Sequence, residues 1–254
     1  VVKDGSYSIK QLNSNGVQNQ YGLTINCYDQ NYKNGTAKVL ITGGTFAHFN
    51  PVDNAAEGAG TNFATSGYET VEGTDGLYTA QVKSDNAAAI DDVQYATLAD
   101  AVAAANNGDT VTLLKNTVED VVIPAGKTIT LDLNGKKLTN ICDNTITNHG
   151  KIEIIDKTGK GVVDNITNAK TAITNDGTVV LRGGTYTRSQ EAGKDKDNGG
   201  GNSYYTILND NGGSLTIYDG VTVYNKGHFS SMIRNGGTAG AESKLYINGG
   251  TFSG

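Results

Sequence analysis

Acid–base, metal and nucleophilic chemistry need particular side chains at particular spacings, and this chain offers few of them. Its arginines are Arg182, Arg188 and Arg234. Arg182 falls in a strand-like phrase and is expected to face outward, in one column with Ile155, Tyr218 and Asn248 that contains no carboxylate. Arg188 falls in a loop and Arg234 beside an Asn turn, and a lone surface arginine is usually just solvated. The acid pair Asp91-Asp92 reads as part of a linker. Asp195 and Asp197 alternate with Lys194 and Lys196 in EAGKDKDNGGGN (191–202), where the lysines oppose a cation. A calcium loop gathers uncompensated oxygens instead. His48, His149 and His228 have no mutual spacing that fits a metal or a triad. Cys27 and Cys142 are far apart and match no zinc pattern, so no disulfide framework is implied. These residues predict no catalytic group, no metal and no cofactor.

Binding chemistry is better represented. Tyr outnumbers Phe 13 to 5, and Trp is absent. Tyr218 and Tyr246 fall at outward strand positions, and Tyr204 and Tyr205 follow a long insert at 188–203. Flat rings beside Asn and Asp suit the C–H faces and hydroxyls of sugars. These four tyrosines and Arg182 are the candidate ligand-binding residues. An outward Tyr is equally a good strand former, and the sequence leaves both readings open. Phe46, Tyr186 and Phe252 form a further aromatic column, but the Gly-Gly bend before each resets parity and hides which way they face.

The elements that carry these residues are repeats. One phrase recurs as VLITGGTF (39–46), VVLRGGTY (179–186) and KLYINGGTF (244–252), with weaker copies VVKDGSY (1–7) and LTIYDGVT (215–222). A second precedes the later copies: ITNHG (146–150), ITNDG (173–177), ILNDNG (207–212) and IRNGG (233–237). Constant strands at unequal steps mean variable loops on a fixed scaffold, which suggests an all-β, parallel β-helix built of stacked coils. Strand alternation assigns Ile152, Ile154, Val179, Leu181, Leu215, Ile217, Leu245 and Ile247 to the interior, with Ile146, Ile173, Ile207 and Ile233. Asn148, Asn175, Asn209 and Asn235 fall at one turn, where a stacked amide ladder would satisfy buried backbone groups. Each is also a good turn former on its own.

Composition agrees with this reading. The chain has 254 residues, enough for a sizeable core, with 34 Gly and only 2 Pro. A net charge of −6 without a Lys/Arg cluster argues against nucleic acid. No apolar run reaches the length of a membrane span, and Val1 does not open a signal peptide. Three regions follow: 1–50, the end of a first block; 51–91, a loop, a hairpin near 63–82 turning at Thr74-Asp75-Gly76, and a linker; and 92–254, a second block. Leu98, Ala101, Val102 and Ala105 at helical spacing predict a short helix near 97–106 with Thr97 as N-cap. Hairpin and helix read as caps that cover exposed coil ends. The chain also reads as an excerpt of a longer solenoid.

YATLADAVAAANNGDTVTLLKNTVEDVVIPAGKTITLDLNGKKLTN (95–140) resembles the opening of pectate-lyase-like right-handed β-helix domains of large secreted and surface proteins of gut bacteria and their phages. The GGTF coils and the 49–82 stretch are similar to the coils and terminal module of the same proteins. The resemblance implies a right-handed winding and an extracellular or cell-surface setting, with a phage virion as the alternative. It does not imply one activity, since the scaffold carries lyases, hydrolases, adhesins and spikes. Its galacturonan hydrolases carry Gly-His-Gly; Gly227-His228-Phe229 lacks the second Gly, so no catalytic residue carries over. The expected function is a non-enzymatic structural or adhesin-type protein that contacts glycans through its outward Tyr and Asn and the 188–203 loop. The alternatives are a polysaccharide lyase or hydrolase with its site outside this stretch, and a phage spike or decoration protein. Expected partners are host or microbial glycans, and neighbouring β-helix segments or copies end to end.

Overall fold

The computed structural model describes residues 1–9, 11–12, 18–20, 24–27, 29–189, 204–225 and 231–254. The expectations for Asp195, Asp197 and His228, and for all of the insert except Arg188 and Ser189, lie outside the described residues. The protein is mostly β, with long parallel sheets. It divides into two compact units, residues 1–86 with 92–97, and 87–91 with 98–254.

The larger unit contains three sheets that the chain visits in a fixed order. Ile146–Asn148 lies in one sheet, Lys151–Ile155 in a second and Val162–Asp164 in a third, after which Ile173–Asn175 returns to the first. Each strand pairs in parallel with the strand one circuit later. Register is held because every circuit puts the same kind of residue at the same place. Ile152 pairs with Val179 and then Leu215; Ile154 pairs with Leu181 and then Ile217. All six are fully buried, and so are Ile146, Ile173 and Ile207 in the first sheet and Leu138, Val163 and Val223 in the third. Burying each such aliphatic is worth ~1.5–3 kcal/mol, and a one-residue slip would turn the whole column to water.

Two expectations change here. Ile247 stands in the column of Ile217, yet it is 53% exposed, and Ile233 is only half-buried. Their strands are the outermost described strands of their sheets, and among the described residues no strand lies over them. The aromatic column resolves inward: Phe46 and Tyr186 are fully buried, whereas Phe252, on an outermost strand, is 38% exposed. The Tyr186 hydroxyl donates to the Gly183 carbonyl at 3.0 Å, and burial holds its pKa well above the ordinary phenol value.

The helix Leu98–Ala104 buries Leu98, Ala101 and Val102. Its first free N–H groups, on Leu98 and Ala99, donate to the Glu119 carboxylate at 2.8 and 3.0 Å. A negative charge at that end also complements the positive end of the helix dipole.

In the smaller unit, Ser6–Tyr7 pairs in parallel with Gly44–Ala47. The hairpin strands Tyr68–Glu72 and Leu77–Val82 extend this sheet antiparallel. Asp75 and Gly76 turn the hairpin at φ 57° and 68°. Ile41, Phe46, Phe49, Phe63 and Ala80 form its core.

Candidate functional site

Parity decides the first polar feature. With Ile146 pointing in and Thr147 out, Asn148 must point in, and the same holds at Asn175 and Asn209. All three are fully buried. Asn148 Nδ2 donates to Asn175 Oδ1 at 2.7 Å, Asn175 Nδ2 to Asn209 Oδ1 at 2.6 Å, and Asn209 Nδ2 to Asn235 Oδ1 at 2.6 Å. The same amides reach the turn backbone: Asn175 Nδ2 lies 3.2 Å from the Ser214 carbonyl, and Asn209 Nδ2 3.0 Å from the Lys244 carbonyl. The row starts after Ile123, which occupies the preceding place in the register, and among the described residues Asn148 Oδ1 is buried without a hydrogen-bond partner. The glycine two places after Asn148 and after Asn175 is needed for clearance. A Cβ on Gly177 would lie 2.1 Å from the Gly150 carbonyl oxygen of the previous circuit.

A second polar column lies just beyond the third sheet, and sequence reasoning missed it. Thr139, Asp164, Thr187 and Tyr224 are in register, so the next residues, Asn140, Asn165, Arg188 and Asn225, stack in turn. All four are buried. Asn140 and Asn165 both donate to the Asp143 carbonyl, at 2.9 and 2.8 Å. The signal was available in the endings KLTN, VVDN, TYTR and TVYN.

Arg188 therefore corrects the loop reading. It is a fully buried side chain that leaves the strand Gly184–Thr187 inside this column. Its Nη1 donates to the Tyr204 carbonyl at 2.7 Å, and the guanidinium lies 5.6 Å from the Tyr204 ring centroid. Burial lowers its pKa to about 10, below the ordinary guanidinium range, with Tyr204 acting in the opposite direction. Beside it, the buried Asp164 accepts from Ser189 N at 2.8 Å and from the Ser189 hydroxyl, and Lys137 Nζ approaches at 2.6 Å.

The outer face of the long sheet holds the second correction. The Arg182 column does hold a carboxylate, Asp132 in register with Ile155, and a second one reaches Arg182 from beside the column. Arg182 Nε donates to Glu153, which lies on the adjacent outward column one circuit earlier. The Arg182 guanidinium lies 4.2 Å from the Tyr218 ring centroid, one circuit later. The Glu153 hydrogen bond is the main cause that holds Arg182 above its ordinary pKa. Tyr246 lies on the outward column of Glu153, beyond Val180 and Thr216, and is half-exposed. Tyr204 and Tyr205 form a tilted pair with centroids 5.2 Å apart, and Arg234 lies 5.4 Å from the Tyr205 ring centroid. The candidate binding residues thus fall into two clusters, Glu153–Arg182–Tyr218 and Arg188–Tyr204–Tyr205–Arg234, with Tyr246 farther along the outer face.

Chemically, both clusters offer ring faces and fixed cations. Glu153 is committed to Arg182, which makes it a poor general base. Cys27 and Cys142 carry free thiols; a hydrogen bond to Asp120 pushes the Cys142 thiol pKa up, against reactivity. Among the described residues, no three His, Cys, Asp or Glu side chains gather to hold a metal ion. Among them, too, no helix is long and apolar enough to cross a membrane. No family model, no curated protein and no solved structure matches the chain.

Proposed function

We propose that this chain is a right-handed parallel β-helix in two blocks, with the helix near 97–106 and the hairpin near 63–82 as caps. On this reading it acts as a non-enzymatic structural or adhesin-type scaffold at a cell surface or outside the cell. The continuous row Asn148–Asn175–Asn209–Asn235 carries the proposal, because it joins circuit to circuit by bonds between identical side chains. Such a row stiffens a stack. The outer face is then free to present side chains. The pectate-lyase-like resemblance of residues 95–140 supports the same setting, in secreted or surface proteins of gut bacteria or their phages.

Glycans are the ligand class that suits the outward residues. Tyr218, held by Arg182, and the exposed Tyr246 offer ring faces, while Asn248 and Thr216 beside them offer hydrogen bonds to hydroxyls. The test is a glycan array probed with the protein and with Tyr218→Ala and Tyr246→Ala. Binding that falls severalfold in both variants supports the reading. Release of reducing or unsaturated sugars from the bound polysaccharides would overturn it.

A further inference from the structure

Lys136, Lys157, Lys160 and Arg182 are far apart in the sequence, and the winding of the larger unit gathers them. The chain passes from the second sheet to the third through the turns 133–136, 156–161 and 182–183, on three successive circuits. Lys137 pairs with Val162, and Val162 N donates to the Lys136 carbonyl at 3.0 Å, which sets the first turn beside the second. Val162 pairs in turn with Thr185, and Arg182 N donates to the Ile154 carbonyl at 2.9 Å, which sets the second beside the third. The turns stack closely: a Cβ on Gly135 would lie 2.8 Å from Thr158 Oγ1. One corner therefore carries a cation on each of three circuits, and the Tyr218 ring follows on the next, 4.2 Å from the Arg182 guanidinium.

This corner is cationic in a chain whose net charge is −6. Lys157 and Lys160 are exposed and Lys136 is half-buried. Among the described residues, none of these three lysines has an ion-pair partner. The acids around them are engaged. Asp156 is buried and accepts from Gly161 N, Thr158 Oγ1 and Gly135 N. Asp164 takes Lys137, Asp132 accepts from Asn134 N at 2.8 Å, and Glu153 takes Arg182. Asp219, next to Tyr218, closes the run. Cations repeated at the strand spacing of ~4.8 Å fit a linear polyanion lying along the stack, close to one pyranose per circuit.

We infer that this corner binds a sulfated glycan, with sulfate esters on Lys136, Lys157 and Lys160 and a sugar face on Tyr218. The inference rests on the glycan reading above and adds the charge of the glycan and its place. Lysine meets a tetrahedral oxyanion as a point charge, whereas a planar carboxylate is held best by an arginine fork. Arg182 is the one arginine on these three turns, and its Nε is already bonded to Glu153. A membrane surface needs apolar side chains among the cations, and none of the exposed large apolar residues falls in these turns. Nucleic acid needs rings interleaved with the cations, and the net charge repels it; here the ring stands at the end of the run.

Biolayer interferometry on immobilised heparin tests this, beside desulfated heparin, polygalacturonate and polyphosphate, which has tetrahedral charge without a sugar. The expected result is saturable heparin binding that weakens as salt rises and is at least tenfold tighter than binding to the other three. Lys157→Gln combined with Lys160→Gln should weaken it at least tenfold, and Lys136→Gln and Tyr218→Ala severalfold each. Glu153→Gln releases Arg182 and should tighten it severalfold. The control pair Lys151→Gln with Lys244→Gln removes the same charge from residues that open their strands at the end away from the corner, and should change binding less than twofold. All these lysines reach solvent, so the fold should survive, and circular dichroism checks it. Equal losses in the two lysine pairs, equal binding to any of the other three polymers, or no binding to heparin would overturn the inference. Neutral glycans bound through Tyr218 and Tyr246 without response to the corner lysines would also overturn it, while leaving the glycan reading intact.

Discussion

Replacing Asn175 by Ala should be among the costliest polar-to-apolar changes in the protein. Asn175 is fully buried, donates to Asn209 Oδ1 at 2.6 Å and accepts from Asn148 Nδ2 at 2.7 Å. It also accepts from Gly177 N at 3.1 Å. Truncation removes all three bonds; Asn148 Nδ2 keeps the Gly150 and Thr178 carbonyls at 3.2 Å, but Asn209 Oδ1 and the Gly177 N–H lose these partners in a site closed to water. An orphaned buried polar group costs about 1–3 kcal/mol, and the loss of two partners places Asn175→Ala at about 2–4 kcal/mol. Asn235 receives the same kind of bond from Asn209 at 2.6 Å, but it is exposed and water can replace its amide. Asn235→Ala should therefore cost about 1 kcal/mol or less. Because the amides are linked, Asn148→Ala combined with Asn175→Ala should cost clearly less than the sum of the two. Equilibrium urea unfolding, with the m-value checked for each variant, measures all four quantities. Equal costs at 175 and 235, or strict additivity of 148 and 175, would refute the coupling of the amides.

Three further outcomes follow from the packing. Leu181→Ala should cost about 2–5 kcal/mol in urea unfolding, whereas the neighbouring, outward Val180→Ala should stay under about 1 kcal/mol. Gly177→Ala should destabilise by about 1–3 kcal/mol or prevent folding, since its Cβ meets the Gly150 carbonyl, which belongs to backbone and cannot swing away. Asp156 should contribute to a loss of stability in acid. Burial raises its pKa, but donors from Gly161 N at 2.7 Å, Thr158 Oγ1 at 2.8 Å and Gly135 N at 2.9 Å outweigh burial and leave it below the ordinary carboxylate value. Its folded pKa lies below its unfolded one, so its stabilisation is complete above the unfolded pKa and is lost as pH falls through the folded value. Asp156→Asn should lower stability at neutral pH and flatten its dependence on pH in the acid range, as read from thermal melts across pH.

The sequence was most legible where a local rule repeats. Ile-Thr-Asn followed by a Gly turn sets parity within three residues, so the inward direction of Ile146 and Asn148 could be read without coordinates. The hairpin was legible for the same reason, because Thr74-Asp75-Gly76 holds its turn chemistry in consecutive residues. Features joined across circuits were harder. Glu119 meets the helix at Leu98 from 21 residues away, a distance at which no capping pattern operates. Glu153 pairs with Arg182 across two columns, so a search along one column could not find it. Arg188 was misread because its charge argued for solvent, while its place in the TYTR ending, aligned with KLTN and VVDN, argued for burial. Its alignment with buried asparagines was the stronger signal.

The asparagine row also has a direction. Every Nδ2 points toward the later circuit and every Oδ1 toward the earlier one, so the side-chain dipoles lie nose to tail and polarise one another. The acceptor end is buried at Asn148, and the donor end emerges at Asn235, where Nδ2 lies 3.1 Å from the Ser243 carbonyl. Any rung added beyond Asn235 must arrive oxygen first. A neighbour presented the other way round would set donor against donor, so the row acts as an arrow that permits growth in only one orientation.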